Sequence, residues 1–253
     1  MRIAELDRFE ARSAHLFLRL FGVSLLVNVA TEIHTGVWQV HTGALYPWRH
    51  IPIVPLYPAP VLALEWALTV LAGALLVARR HVVVATRLAA IATLSAILQR
   101  YSNHGVLLFL VALFLAFDPS VPETGTFVRP NLGLVRAQLV IVYVFSALNK
   151  MLHGFSSGAS IANLLHLPIA CARPMALGAI VAELVLPILL FVRPRLGIAG
   201  VVALHAVFAV AVPGTTSFAL VMIAMAVLFE TYVRGRKFRP IEASAGAVER
   251  DTF

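Results

Sequence analysis

Charge is scarce in this chain. Of 253 residues, 13% are Asp, Glu, Lys or Arg, with 12 acids against 20 bases. A soluble domain carries charge on about a quarter of its residues, so that class is excluded. Cysteine is scarcer still. Cys171 stands alone, which excludes an intramolecular disulfide and a CxxC thiol relay. There is no Gly-rich phosphate loop and no nucleophile elbow. No HxxxH or HxxE pair has good metal-ligand spacing, so no metal site is expected. A fixed-period repeat and a separate soluble domain are missing too. No cleavable signal peptide is expected: the first 15 residues are polar, and the long apolar run after them holds Arg19.

What the chain has is apolar length. Hydrophobic residues make up 60% of it, and the mean hydropathy is +0.89. Its runs reach the ~20 residues that cross ~30 Å of hydrocarbon. This predicts an all-α, polytopic integral membrane bundle of about eight spans. The spans fall at roughly 15–33, 58–78, 81–98, 104–117, 133–152, 174–192, 196–212 and 214–233. Residues 1–14 read as a charged cytoplasmic lead-in, 15–233 as the transmembrane domain and 234–253 as a polar cytoplasmic tail. Residues 34–57 are rich in Trp, Tyr, His and Pro, which suits an interfacial or re-entrant loop.

The net charge is +8, but the bases sit in short groups between apolar runs. That is a positive-inside pattern, so the lipid bilayer is the expected partner and nucleic acid is not. With the N-terminus in the cytoplasm, the cytoplasmic side takes Arg2, Arg8, Arg12, Arg79, Arg80, Arg129, Arg193, Arg195, Arg234, Arg236, Lys237 and Arg239. The opposite side takes Arg49, Arg100 and Arg173, with Lys150 at a helix end. Both termini are then cytoplasmic. The same map places His34, His41, His50, His104, His153 and His166 at or near the outer face, with Glu32 and Glu65 in outer helix halves.

Several polar residues interrupt the spans. In 138-QLVIVYVFSALNKMLHG-154, Tyr143, Ser146, Lys150 and His153 are spaced i, i+3, i+7, i+10, which puts them on one helix face. Intramembrane polar groups normally face the bundle interior or a cavity. A desolvated lysine can be held neutral and act as a general base. Alternatively, Lys150 snorkels to the headgroups from a helix end. His104 opens the apolar stretch 104–117, where it binds a ligand or caps the helix. His205 lies mid-span among apolar residues, as a ligand contact or bonded to a neighbouring helix. Glu183, mid-membrane, is a proton relay, the partner of a buried base, or a structural hydrogen bond. Arg19 and Arg87 lie in cytoplasmic halves and can snorkel.

Three of these stretches together resemble the horizontally transferred transmembrane (HTTM) domain proteins and the related membrane domain of vitamin K-dependent gamma-glutamyl carboxylase. The stretch 138-QLVIVYVFSALNKMLHGFSSG-158 is similar to that family's lysine segment, 102-SNHGVLLFLVALFLAF-117 to its Asn-His segment, and 204-LHAVFAV-210 to its Phe-His segment, in the same order. The likeness covers roughly 15–233 and not the lumenal domain that follows in the carboxylases. It implies a membrane enzyme with an extracytoplasmic site, using a reduced quinone (vitamin K or menaquinol) with O2 and CO2, and acting on a peptide or protein substrate. By resemblance Lys150 is the catalytic base, and His104 and His205 are the functional histidines. Tyr143, His153 and Glu183 would line the cofactor. The implied setting is a bacterial inner membrane, with quinol epoxidation driving gamma-carboxylation. The chain departs from the family at Asn149, where a tandem lysine stands, at Phe155, in place of a tryptophan, and at Val207 and Phe208, in place of Met-Asn. Small members of the family also include proteins that help mature secreted bacterial toxins, so a non-catalytic helper for maturation or export of a secreted peptide is the alternative. A small transporter using Glu32, Glu65 and Glu183 is a third reading, disfavoured by the lack of paired broken helices.

Overall fold

The computed structural model describes residues 3–37, 39, 54–117, 129–212 and 214–230, excepting the side chains of 3–11 and 129–131. Every regular element among the described residues is helical: α1 Ile3–His34, α2 Ala59–Ala78, α3 Val82–Gln99, α4 Asn103–Ala116, α5 Arg129–Leu152, α6 Ala159–Leu165, α7 Ile169–Val192, α8 Pro194–Ala211 and α9 Thr216–Val227. A 3-10 turn, Phe155–Ser157, precedes α6. Six helices are long and apolar enough to cross a membrane, namely α1 from Arg12, α2, α3, α5 from Leu132, α7 and α8, while α4 and α9 are shorter apolar helices. The chain is therefore a multi-pass membrane bundle, and the eight predicted spans coincide with these eight helices. Three boundaries differ, one being the end of α9, at Val227 rather than 233. Helix α1 already runs from Ile3, through the predicted lead-in, and α7 starts at Ile169 rather than 174. Pro174 suggests a start but sits inside α7, as does Pro187. Outside the described residues lie His41, Arg49 and His50 of the 34–57 loop, Arg2, the side chains of Arg8 and Arg129, and the tail 234–253.

Local chemistry explains the ends. Ser102 caps α4, its Oγ accepting from Gly105 N at 3.1 Å. Helix α2 starts on Pro58–Pro60 and stops with Arg79 in the left-handed region, where Arg79 N and Arg80 N close back on Leu76 O and Leu75 O. At the end of α9, Arg136 Nε and Nη2 donate to Leu228 O at 2.9 and 2.7 Å, satisfying a carbonyl the helix leaves open.

Packing divides the bundle. Helices α1 to α4 contact in sequence, α7 packs against α5, α6 and α8, and α9 packs against α1, α4, α5 and α8. Short as it is, α9 is the most enclosed helix, with Val221, Met222 and Ala224 to Val227 buried. Phe17, Phe21 and Leu25 of α1 and Leu139 and Tyr143 of α5 join the same core. The outward positions are apolar too, among them Leu64, Ile91, Phe145, Val181 and Ile188. A water-soluble fold puts charge there; an apolar exterior is what a hydrocarbon solvent selects.

Candidate functional site

Two clusters of polar side chains interrupt the apolar interior. The first joins α5, α7 and α8. Lys150 Nζ donates to Ser146 Oγ at 2.9 Å and forms an ion pair with Glu183 Oε1. Ser146 Oγ also donates to Glu183 Oε1, at 3.0 Å. One turn deeper, Tyr143 Oη and His205 Nε2 are hydrogen-bonded at 2.9 Å, with both residues buried (1% and 2% exposed). The predicted helix face therefore holds for Tyr143, Ser146 and Lys150, and Glu183 meets it from the facing helix. His153 leaves the face. Helix α5 ends at Leu152, and His153 is exposed, its ring Nδ1 3.0 Å from Asn149 O. His104 stands half-buried in the first turn of α4.

Aromatic rings wall the first cluster. Lys150 Nζ lies 5.6 Å from the Phe155 ring centroid and 5.7 Å from that of Phe208. Phe155 and Phe208 thus both face the amine. Phe208 also connects the two halves of the cluster, because its ring is 6.1 Å from that of His205. Phe218 closes the other side of His205, edge-on at 5.5 Å.

Two atoms of this cluster are buried without a hydrogen-bond partner, Glu183 Oε2 and His205 Nδ1. A buried, unmade hydrogen bond costs about 1–3 kcal/mol, so such atoms mark a place where a partner belongs. The main chain adds a third open group. Pro187 is four residues after Glu183 and has no N–H, so the helix ladder supplies no donor to the Glu183 carbonyl. The ammonium of Lys150 has three N–H donors, of which Ser146 and Glu183 accept two.

The second cluster joins α1, α2 and α3. Arg100 Nη2 donates to Glu32 Oε2 at 2.9 Å and also pairs with Glu65 Oε1. Trp66 Nε1 donates to Glu32 Oε2 at 2.7 Å, and Asn28 Nδ2 to Glu32 Oε1 at 3.1 Å. Ser95 Oγ bonds Glu65 Oε2 at 2.8 Å. Beside it, Gln99 accepts from Tyr57 N at 2.8 Å and donates to Pro55 O at 3.1 Å. The sequence marks Glu32, Glu65 and Arg100 as outer-face groups but carries no signal that they meet, nor that Trp66, Ser95 and Asn28 join them. Asn28 is one helical turn from Glu32, but the partners on other helices are 30 to 68 residues apart along the chain. The only available hint is that these are lone charges in apolar runs, which must find each other.

Both clusters stand at one end of the bundle. Glu32 is near the C-terminus of α1, and the turn between α8 and α9 lies against that end, with the Cβ position of Gly214 3.9 Å from Thr31. The same turn closes on α8 through Thr215 Oγ1, which donates to Phe208 O at 3.0 Å. Among the described residues, no three His, Cys, Asp or Glu side chains gather as a metal ion requires. The chain matches no family model, no curated protein and no solved structure.

Proposed function

We propose that this chain is a membrane enzyme that removes a hydroxyl proton from an apolar ring substrate, a reduced quinone such as vitamin K hydroquinone or menaquinol. The observation that carries it is the pair of half-buried Lys150 and buried Glu183, with Phe155 and Phe208 beside the amine. The residues fit such a substrate. Its flat ring suits the aromatic wall, and its hydroxyl groups suit the two open buried atoms, Glu183 Oε2 and His205 Nδ1. The reduced quinone supplies the hydroxyl proton and, with O2, the oxidation: one oxygen atom enters the ring as an epoxide and the other leaves as water.

The protein's part is proton handling. An ammonium cannot accept a proton, so Lys150 first passes one to Glu183 along their hydrogen bond. That leaves an amine and a carboxylic acid, a neutral pair that the low-dielectric interior tolerates. The amine then takes the hydroxyl proton, and the regenerated ammonium sits against the new negative charge on oxygen. Ser146 holds the amine through the exchange, and Tyr143 fixes the His205 ring so that Nδ1 points to the substrate. In this reading the site opens to the extracytoplasmic side of a bacterial inner membrane, both termini are cytoplasmic, and CO2 and a peptide glutamate are the onward reactants. His104 and His153 do not enter these steps.

The test is quinol epoxidation. The purified chain is incubated in air with menaquinol or reduced vitamin K, and epoxide is followed by mass spectrometry. Wild type should exceed Lys150→Ala by about 100-fold or more, the usual contribution of a general base. Equal, background epoxide from the two folded proteins with either quinol sinks the reading.

The ion pair also favours a second reading, a non-catalytic helper for a secreted peptide in which Lys150 and Glu183 only clip α5 to α7. Lys150→Arg keeps that charge and pair, so a helper tolerates it. A proton-accepting lysine does not, because arginine stays protonated.

A further inference from the structure

The second cluster holds one cation to two acids. Arg100 pairs with both Glu32 and Glu65, and both carboxylates converge on a single guanidinium nitrogen, Nη2. Arg100 Nε and Nη1 are buried and accepted by nothing. Two fully charged carboxylates would compete for this guanidinium and each would take a fork of two N–H groups, as paired arginines do. Here neither does. Among the described residues, no other charged group pairs with these three, so the cluster holds one more acid than base.

Hydrogen-bond direction locates what neutralises it. Glu32 faces groups placed as donors. The indole of Trp66 and the guanidinium of Arg100 can only donate to Oε2, and the Asn28 amide is oriented to donate to Oε1. A proton on either oxygen would break such a bond or require the amide to flip. Glu65 differs. Its Oε1 faces Arg100, but its Oε2 faces the Ser95 hydroxyl, which can turn from donor to acceptor without moving its oxygen. Glu65 is also the deeper acid, with its side chain 3% exposed against 17% for Glu32.

We infer that Glu65 is a proton-binding site, carrying a proton on Oε2 that it donates to Ser95 Oγ. Arg100 then balances Glu32 alone, and the three helices are held by a net-neutral cluster. The cluster is a second ionisable centre of the bundle, separate from Lys150 and Glu183, and its ligand is a proton taken from the outer end.

Infrared spectroscopy of the purified full chain in lipid nanodiscs tests this without any enzymatic readout, so its outcome is independent of the quinol reading. A protonated carboxyl shows a C=O stretch that a carboxylate lacks. At neutral pH the wild type should show such a band; Glu65→Gln should remove it, and Glu183→Gln should leave it. If Glu65→Gln does not fold, Ser95→Ala decides: it keeps every charge but removes the acceptor, so the band should move to higher frequency. The inference is overturned if wild type has no carboxylic band. It is equally overturned if the band is lost in Glu183→Gln, survives Glu65→Gln in the Glu183→Gln background, or stays unmoved in Ser95→Ala.

Discussion

Lys150 carries a contrast between what a lone residue suggests and what its neighbour imposes. Read along the sequence, it is either a base held neutral by burial or a helix-end lysine reaching for the headgroups. In the structure it has a carboxylate partner, and the pair rather than the amine is the chemical unit. The pair is also a structural hazard, because removing one member strands the other in the interior. Glu183 is 5% exposed, and without Lys150 its one remaining side-chain donor among the described residues is Ser146. Lys150→Met should therefore destabilise the bundle by about 3–5 kcal/mol, the usual consequence of breaking a buried pair. Lys150→Met combined with Glu183→Leu should recover most of that loss, since two apolar side chains suit the site better than one stranded charge. Unfolding in mixed micelles, read as a double-mutant cycle, measures both. A double variant no more stable than the single one would mean that the ion pair is not what the single variant loses.

At the level of helices, close approach between α1 and α2 sets the geometry of the second cluster. Gly22 and Gly73 face each other across that crossing. A Cβ on Gly22 would stand 2.7 Å from Gly73 O, and one on Gly73 would stand 2.9 Å from Gly22 O. Backbone cannot yield as a side chain can, so a single methyl pushes the helices apart. Small residues at such crossings are how membrane helices gain contact without a hydrophobic drive. Gly22→Ala and Gly73→Ala should each lower stability by roughly 1–3 kcal/mol, the cost of overpacking. Gly178→Ala is the control. It sits inside α7 with nothing within 4 Å of its Cβ position, so alanine there should be neutral or stabilising by up to about 1 kcal/mol. Thermal unfolding of the three variants separates a crossing effect from general helix propensity. None of this close approach is legible beforehand, because glycine in an apolar run reads the same at a crossing and on the lipid face. Helix positions are legible, because a membrane demands long uninterrupted runs and leaves few places to break them. The face shared by Tyr143, Ser146 and Lys150 is legible too, since it follows from helical period within one element. Which helix answers that face is not, and neither is the meeting of Glu32, Glu65 and Arg100, because each depends on packing between elements distant in the chain.

For the molecule as a whole, the sidedness of the bundle decides which compartment both clusters serve. Charge distribution puts Arg79, Arg80, Arg193 and Arg195 at one end, all exposed. Lys150 and Arg100 stand at the other, near the C-termini of α5 and α3. Basic residues retained on the cytoplasmic side would place Lys150 and Arg100 outside. The chain offers its own probe of this orientation, because its one cysteine lies at that second end. Cys171 is exposed in the first turn of α7, and a short connection through Phe155–Ser157 and α6 joins α7 to the end of α5 that carries Lys150. Whatever side Cys171 faces, Lys150 lies at the same end of the bundle. In intact cells, a maleimide that cannot cross the membrane holding the chain should label Cys171, and Cys171→Ser should abolish the signal. Labelling that appears only after that membrane is opened would place this end in the cytoplasm. The Lys150 cluster would then face the cytoplasm, and the positive-inside assignment would be reversed.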